Sequence, residues 1–383
     1  MSIFLVLKWL YFFINVGLVL RLYVALRGTG AVRVLVCSLA IAASLIFPFL
    51  RTGIEGNGLG ARVLTFIGTF WLSFVLHTLI AWALVGIFCF LNGRFHWLVI
   101  SPENLPRWRY AACAGIAATA ALLSFAGWVN TQLPVVREVK LAAPAGAAPF
   151  RIVALSDTHL GRLVSPAYFS SLVDLIEPLT PDLVLFAGDI IDDYDGYDAA
   201  AIHASLQRLA PRFGVWAALG NHEYIAGDPL RSRDLLEKSG IRVLRDQGVE
   251  LGEGKEKILL VGRDDRSIER FLKQPRKPLS AILAAFPNAA STPMKILIDH
   301  QPFHLEEAQE AGFYLQLSGH THNGQIFPFN FIVGHLYENA HGYSRRGATH
   351  YWVSSGAGTW GPRIRTTGRT EILAIDIVPE TAN

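Results

Sequence analysis

The sequence predicts an α/β domain of packed sheets and helices, carried behind an N-terminal bundle of four transmembrane helices. Three observations lead there. The first third of the chain is almost continuously apolar. The rest alternates short apolar runs with amphipathic stretches, and five of those runs end in small polar motifs that share one chemistry.

Residues 1 to about 134 hold nine Lys or Arg and only two acids, Glu55 and Glu103. Four apolar runs lie between these charges: Ile3 to Leu26, Val34 to Leu50, Val63 to Leu91 and Tyr110 to Val129. A helix needs about 20 apolar residues to cross a bilayer core. The first, third and fourth runs exceed that length and the second just reaches it. Lys8 can snorkel to a headgroup, and Asn15 needs a partner inside the bundle. A cleaved leader has a shorter apolar region and would not be followed by three more spans. His77 is the main ionisable group within a span and is read as packed, so the bundle is an anchor for an enzyme in the cell (inner) membrane, not a transport pathway.

Arg21, Arg27, Arg33, Arg94, Arg107 and Arg109 flank one set of loops, against Lys8, Arg51, Arg62, Arg137 and Lys140 on the other. The pair Arg107 and Arg109, directly before the last span, favours an inside start and an extracytoplasmic catalytic domain. Cys37, Cys89 and Cys113 all fall in the apolar third, so the soluble part has no disulfide framework.

Residues 1–134 are therefore the anchor, 135–149 a linker and 150–383 the catalytic domain. The linker holds an alternating stretch, Val135 to Leu141, that reads as an edge strand, followed by a Pro and Gly turn. In the domain, Phe150 to Leu155, Asp182 to Ala187, Phe213 to Leu219, Met294 to Ile298 and Phe313 to Leu317 read as strands buried on both faces. Ser165-Pro166 and Asp228-Pro229 open helices between them, the second closed by Gly240. Layers with helices outside a sheet core follow from that alternation.

Each strand ends in a motif: Asp157-Thr-His159, Gly188-Asp189-Ile-Ile-Asp192, Gly220-Asn221-His222-Glu223, Asp299-His300 and Gly319-His320-Thr321-His322. Strand ends of open α/β sheets gather on one rim, where such folds place their chemistry. Carboxylate, imidazole and amide ligands without thiolate suit two divalent ions, Mn, Fe or Zn, with Mn favoured. Glu223 is read as a structural hydrogen-bonding residue.

With these five motifs in this order, the chain from about Phe150 to Val378 resembles the calcineurin-like metallophosphoesterase superfamily. The later stretches Gly319 to Gln325, Ser354 to Trp360 and Gly361 to Arg365 resemble its membrane-associated YkuE-type branch. The resemblance implies a four-layer sandwich, two mixed sheets flanked by helices. It also implies that Asp157, His159 and His322 hold one ion, that Asn221, His300 and His320 hold the other, and that Asp189 bridges them. His222 would face the substrate without binding metal, with Asp192 orienting it. Asp193 stands where protein phosphatases of this superfamily carry Arg, which argues against a phosphoprotein substrate.

Two ions roughly 3.5 to 4 Å apart neutralise phosphoryl oxygens and supply hydroxide near pH 7 for in-line attack. A histidine beside them serves the leaving group. The expected activity is that of a phosphodiesterase or pyrophosphatase on a lipid-linked or cell-envelope phosphate compound, with the bilayer as partner. A cytoplasmic-facing hydrolase of a UDP-linked acylated sugar is the alternative, and a non-catalytic membrane scaffold is the alternative of another class. Beyond the anchor the chain keeps 25 of its 34 basic and 29 of its 31 acidic residues, so no basic field points to nucleic acid. Ile326 to Val333 is read as a packed connecting segment, or as one that lines an acyl-chain groove or dips into the membrane interface, and Arg363 and Arg365 as partners of a second phosphate or as surface charges or structural ion pairs.

Overall fold

The protein, described here by a computed structural model, is defined over residues 3–25, 30–49 and 59–379. It divides into two compact units, Met1–Val129 with Gly361–Ile364 and Asn130–Trp360 with Arg365–Asn383.

The first unit is helical: α1 (Ile3–Ala25), α2 (Gly30–Phe49), α3 (Leu59–Phe95) and α4 (Leu105–Gln132, whose last residues belong to the second unit). Among the described residues, two helical stretches are long and apolar enough to cross a membrane, Val63–Phe95 and Leu105–Gln132. Two clear spans thus stand among the described residues where the sequence predicts four; Trp9–Val24 and Gly30–Ile46 are the apolar stretches described in α1 and α2. Asn15 accepts from the Trp71 indole at 2.7 Å and donates to Tyr11 O at 2.8 Å. His77 lies 2.8 Å from Ser73 O through Nδ1, which packs it against its own helix. Arg27, Arg51, Glu55 and Asn383 lie outside the described residues, as do the side chains of Lys8 and Arg62.

The second unit contains two six-stranded mixed sheets. The first runs β1 (Val135–Ala142), β12 (Glu371–Val378), β2 (Phe150–Leu155), β3 (Leu183–Ala187), β4 (Val215–Ala218), β5 (Arg242–Leu244). The second runs β10 (Gly342–Arg346), β11 (Thr349–Val353), β9 (Leu315–Ser318), β8 (Met294–Ile298), β7 (Ile258–Gly262), β6 (Gln247–Leu251). β2 to β5 pair in parallel, as do β7, β8, β9 and β11, while β6 and β10 are antiparallel edges. Within the stretch read as a linker, residues 135–142 form β1 and pair in parallel with β12.

Period-two alternation explains why these strands are apolar throughout. Val153, Leu155, Val184 and Phe186 face the helices α5 (Pro166–Ile176), α6 (Ala199–Leu206) and α8 (Pro229–Lys238). Their neighbours Ile152, Ala154, Leu183 and Leu185 face the other sheet and pack with Leu260, Ile296 and Leu317. The second sheet buries Leu259, Val261 and Leu297 beneath α10 (Leu279–Leu283) and α11 (Leu305–Glu310). The order is helix, sheet, sheet, helix. Short helices α7 (Asn221–Ile225), α9 (Ser267–Phe271) and α12 (Phe329–Leu336) complete the unit. Ser165 caps α5 by accepting the Tyr168 N–H, and Asp228 caps α8 through Leu230 N–H, so the two Pro-initiated helices start where their caps direct.

Candidate metal centre

The C-terminal ends of β2, β3, β4, β8 and β9 deliver Asp157, Asp189, Asn221, His300 and His320 to one place. Asp189 is its centre. Its Oδ1 accepts the His222 backbone N–H at 2.7 Å, at the start of α7. Its Oδ2 lies 3.1 Å from His300 Nε2 and 3.9 Å from His159 Nε2.

On one side, His159 Nε2 and His322 Nε2 are 3.0 Å apart, and His322 Nε2 is 3.4 Å from Asp157 Oδ1. On the other, His320 Nδ1 is 2.7 Å from Asn221 Oδ1. Asp157, His159 and His322 form one cluster of candidate ligand atoms, and Asp189, His300 and His320 a second. The structure thus brings all seven side chains together, and Asp189 lies between the groups. His159, Asp189 and His222 also come within ligand reach of one another, but His222 Nδ1 is committed to Asp192 Oδ1 at 2.7 Å.

Holding acceptors face to face needs a cation or protons between them. His300 Nδ1 lies 2.6 Å from Ala187 O, an acceptor only, so that nitrogen carries the proton. Without a cation Nε2 faces Asp189 Oδ2 by carrying a second proton; a metal ion between them would take that proton's place. In a metal-binding histidine the second nitrogen bonds to a carbonyl in this way. Burial pushes His300 down, but Asp189 and Asp157 outweigh it and raise it well above its ordinary 6.5, so the site is avid for positive charge there. Burial and neighbouring positive charge depress His320 to about 3 and hold His322 well below its ordinary 6.5, keeping both lone pairs available. Burial raises Asp157, whereas for Asp189 the imidazoles overcome burial and hold it well below 3.8. These donor types fit divalent ions of borderline hardness, and the described cysteines all lie in the helical unit.

The backbone is bent to make this possible. Asp157, His159, Asp189, His320 and His322 all have positive φ, from 48° to 73°. A non-glycine residue there costs on the order of 1 to 3 kcal/mol, which the surrounding contacts must offset. Glu223 supplies some of that hold. Fully buried, it accepts the N–H groups of Gly220 and Ile190 at 2.7 Å, Ile191 at 2.8 Å and Asp189 at 3.2 Å, clamping two metal loops together. Glycines admit the carboxylates: a Cβ at Gly319 would sit 2.2 Å from Asp157 Oδ2.

Three further side chains take defined places around these loops. Arg365 is fully buried and donates to His322 O at 2.8 Å and Gly358 O at 3.0 Å, so it supports the metal loop and cannot meet a second phosphate. Asp192 serves two rings, His222 at 2.7 Å and His159 at 3.6 Å. Asp193 accepts from Arg162 N and Gly196 N, a turn-closing role.

Residues 150–324 match the family described as calcineurin-like phosphoesterase. A metallophosphoesterase of Bacillus subtilis, YkuE, is 30% identical over 243 residues, covering 61% of this chain and 81% of that protein. The chain belongs to the calcineurin-like metallophosphoesterase family. An uncharacterized metallophosphoesterase of Campylobacter jejuni is 34% identical over 254 residues, 65% of each chain. A zebrafish protein named transmembrane protein with metallophosphoesterase domain is 31% identical over 267 residues, 67% of this chain and 60% of its own. The chain thus spans slightly less than two thirds of these two relatives. In this metallophosphoesterase the matched region carries all five Asp, Asn and His motifs.

Proposed function

We propose that the protein is a membrane-anchored, two-metal phosphohydrolase, a phosphodiesterase or pyrophosphatase acting on a lipid-linked or cell-envelope phosphate compound. The observation that carries the reading is Asp189, with His300 3.1 Å from its Oδ2 on one side and His159 3.9 Å away on the other. In this reading Asp157, His159 and His322 would hold one ion and Asn221, His300 and His320 the second, with Asp189 serving both. When bound, a pair of divalent ions, Mn foremost, neutralises phosphoryl oxygens and acidifies a water for in-line displacement.

The chain's own residues do the rest. His222 uses Nδ1 to donate to Asp192, which fixes the ring and leaves Nε2 to serve the leaving oxygen. Burial lowers His222, but Asp189 and Asp192 raise it above its ordinary 6.5, so a proton is at hand near neutral pH. Trp360, with its ring centroid 6.2 Å from that of His222, borders the place where the leaving group departs.

Anchoring is supported by the two apolar helices and by the transmembrane name of the zebrafish relative. In the same proposal the remaining two apolar helices also cross, the anchor ends near residue 134, and Arg107 and Arg109 keep the start of α4 inside, with the catalytic unit extracytoplasmic. The test is hydrolysis of an aryl phosphodiester in Mn²⁺ by the full chain. Asp189→Ala abolishes turnover while leaving the fold intact, and retained turnover refutes the assignment.

A further inference from the structure

We infer that α12 and its approach, together with Trp360, form a crest that enters the surface of a lipid bilayer and opens the metal centre onto the headgroup layer. This rests on the proposal that the protein is membrane-anchored.

None of the eight residues of α12 is buried. Phe327, Phe329, Phe331, Ile332, Leu336 and Trp360 are all exposed, Phe331 and Leu336 by 67% and 64%. A helix this short does not hold itself together in water and ordinarily depends on packing an apolar face. No described residue packs it out of water, since none of its eight residues is buried, and it carries no Asp, Glu, Lys or Arg.

Covalent geometry selects the bilayer as the occupant. α4 ends at Gln132 and β1 begins at Val135, so only two residues separate a helix able to span a membrane from the first strand of the catalytic unit. Each residue reaches at most about 3.6 Å, so an α4 that crosses the bilayer delivers Val135 close to its surface. Phenylalanine and branched aliphatic side chains on a short helix, with a tryptophan beside it, are the composition that settles at that interface.

The crest is tied to the chemistry. The turn His322–Gly324 follows the last metal motif and leads into α12. Gln325 then joins the two parts of the crest: its Nε2 donates to Trp360 O at 2.8 Å and its Oε1 accepts Trp360 N–H at 3.0 Å. Trp360 in turn faces His222. A phosphate ester held in the headgroup layer would meet the centre without leaving the membrane.

The experiment uses the full chain in nanodiscs of phosphatidylethanolamine and phosphatidylglycerol, with Cys37, Cys89 and Cys113 replaced by Ala. A fluorophore on Phe331→Cys is compared with one on Lys238→Cys, on α8. Spin-labelled lipid quenches the first and not the second, while iodide does the reverse. Quenching of the first by iodide, or by neither agent, overturns the inference, the latter because protein covers the crest. Phe331→Asp with Ile332→Asp should lower turnover of a long-chain phosphodiester in vesicles by about tenfold or more and leave a soluble aryl phosphodiester unchanged. Equal loss on both substrates overturns it too. A native chain inert toward both esters refutes the phosphohydrolase reading instead, and the quenching result still stands by itself.

Discussion

His222 Nδ1 lies 2.7 Å from Asp192 Oδ1, and Asp192 in turn lies 3.6 Å from His159 Nδ1. One buried carboxylate therefore connects a histidine of the metal cluster to the histidine assigned to the leaving group. Burial pushes Asp192 up, yet these two imidazoles hold it far below the usual carboxylate range, so it stays ionised throughout working pH.

Asp192→Asn keeps the shape and removes the charge. Activity should fall about 10- to 100-fold. His222 loses one of the groups that raise it, so its protonated form gives way at lower pH and the alkaline limb of the kcat profile moves down. His222→Ala should cost about 10² to 10⁴ in kcat. Steady-state kinetics across pH check both, and an unshifted alkaline limb in Asp192→Asn contradicts the assigned pair.

Glu223 accepts four buried backbone N–H groups. Glu223→Ala leaves them without that acceptor, at about 1 to 3 kcal/mol for each donor left unsatisfied. The variant should unfold at markedly lower denaturant and bind metal poorly, whereas Glu223→Gln, which keeps a carbonyl acceptor, should lose less. Chemical denaturation of the two variants side by side decides it.

Gly319→Ala tests packing against chemistry. Its Cβ would lie 2.2 Å from Asp157 Oδ2, so the carboxylate must move. Calorimetric titration with Mn²⁺ should show weaker binding at the cluster that includes Asp157, with far-UV circular dichroism unchanged. Undiminished affinity would mean that Asp157 holds no metal.

Glu371 governs acid stability. Burial raises it, but His341 at 3.5 Å, the Ser355 N–H at 2.8 Å and Arg137 at 3.4 Å hold it below its ordinary 4.5. A depressed carboxyl stabilises the fold above its unfolded value, and that contribution is lost as pH falls through the folded one. Stability should therefore drop as pH is lowered below about 4.5. Glu371→Gln should be less stable at neutral pH by about 1 to 3 kcal/mol and show a flatter acid limb in thermal melts.

The parts legible in the sequence were those whose cause is local. Met294–Ile298 and Phe150–Leu155 are strands with the predicted bounds, because an apolar run ended by a polar loop has few other solutions. Ser165 and Asp228 cap helices for equally local reasons. The convergence of the Asp and His motifs followed from strand ends sharing a rim. Arg365 was ambiguous because its partners, His322 and Gly358, are set by tertiary packing and leave no spacing pattern. The apolar segment after His322 reads alike whether packed or exposed, and only the fold shows α12 standing clear. Four apolar runs predict four spans, and among the described residues two helices are long and apolar enough to cross.

The most direct test of the two-metal centre is metal analysis of the full chain after equilibration with Mn²⁺, paired with Asp189→Ala. The account predicts two tightly held ions per chain, falling together when Asp189 is removed. A native chain that holds none, or an Asp189→Ala variant that still holds two, would contradict it.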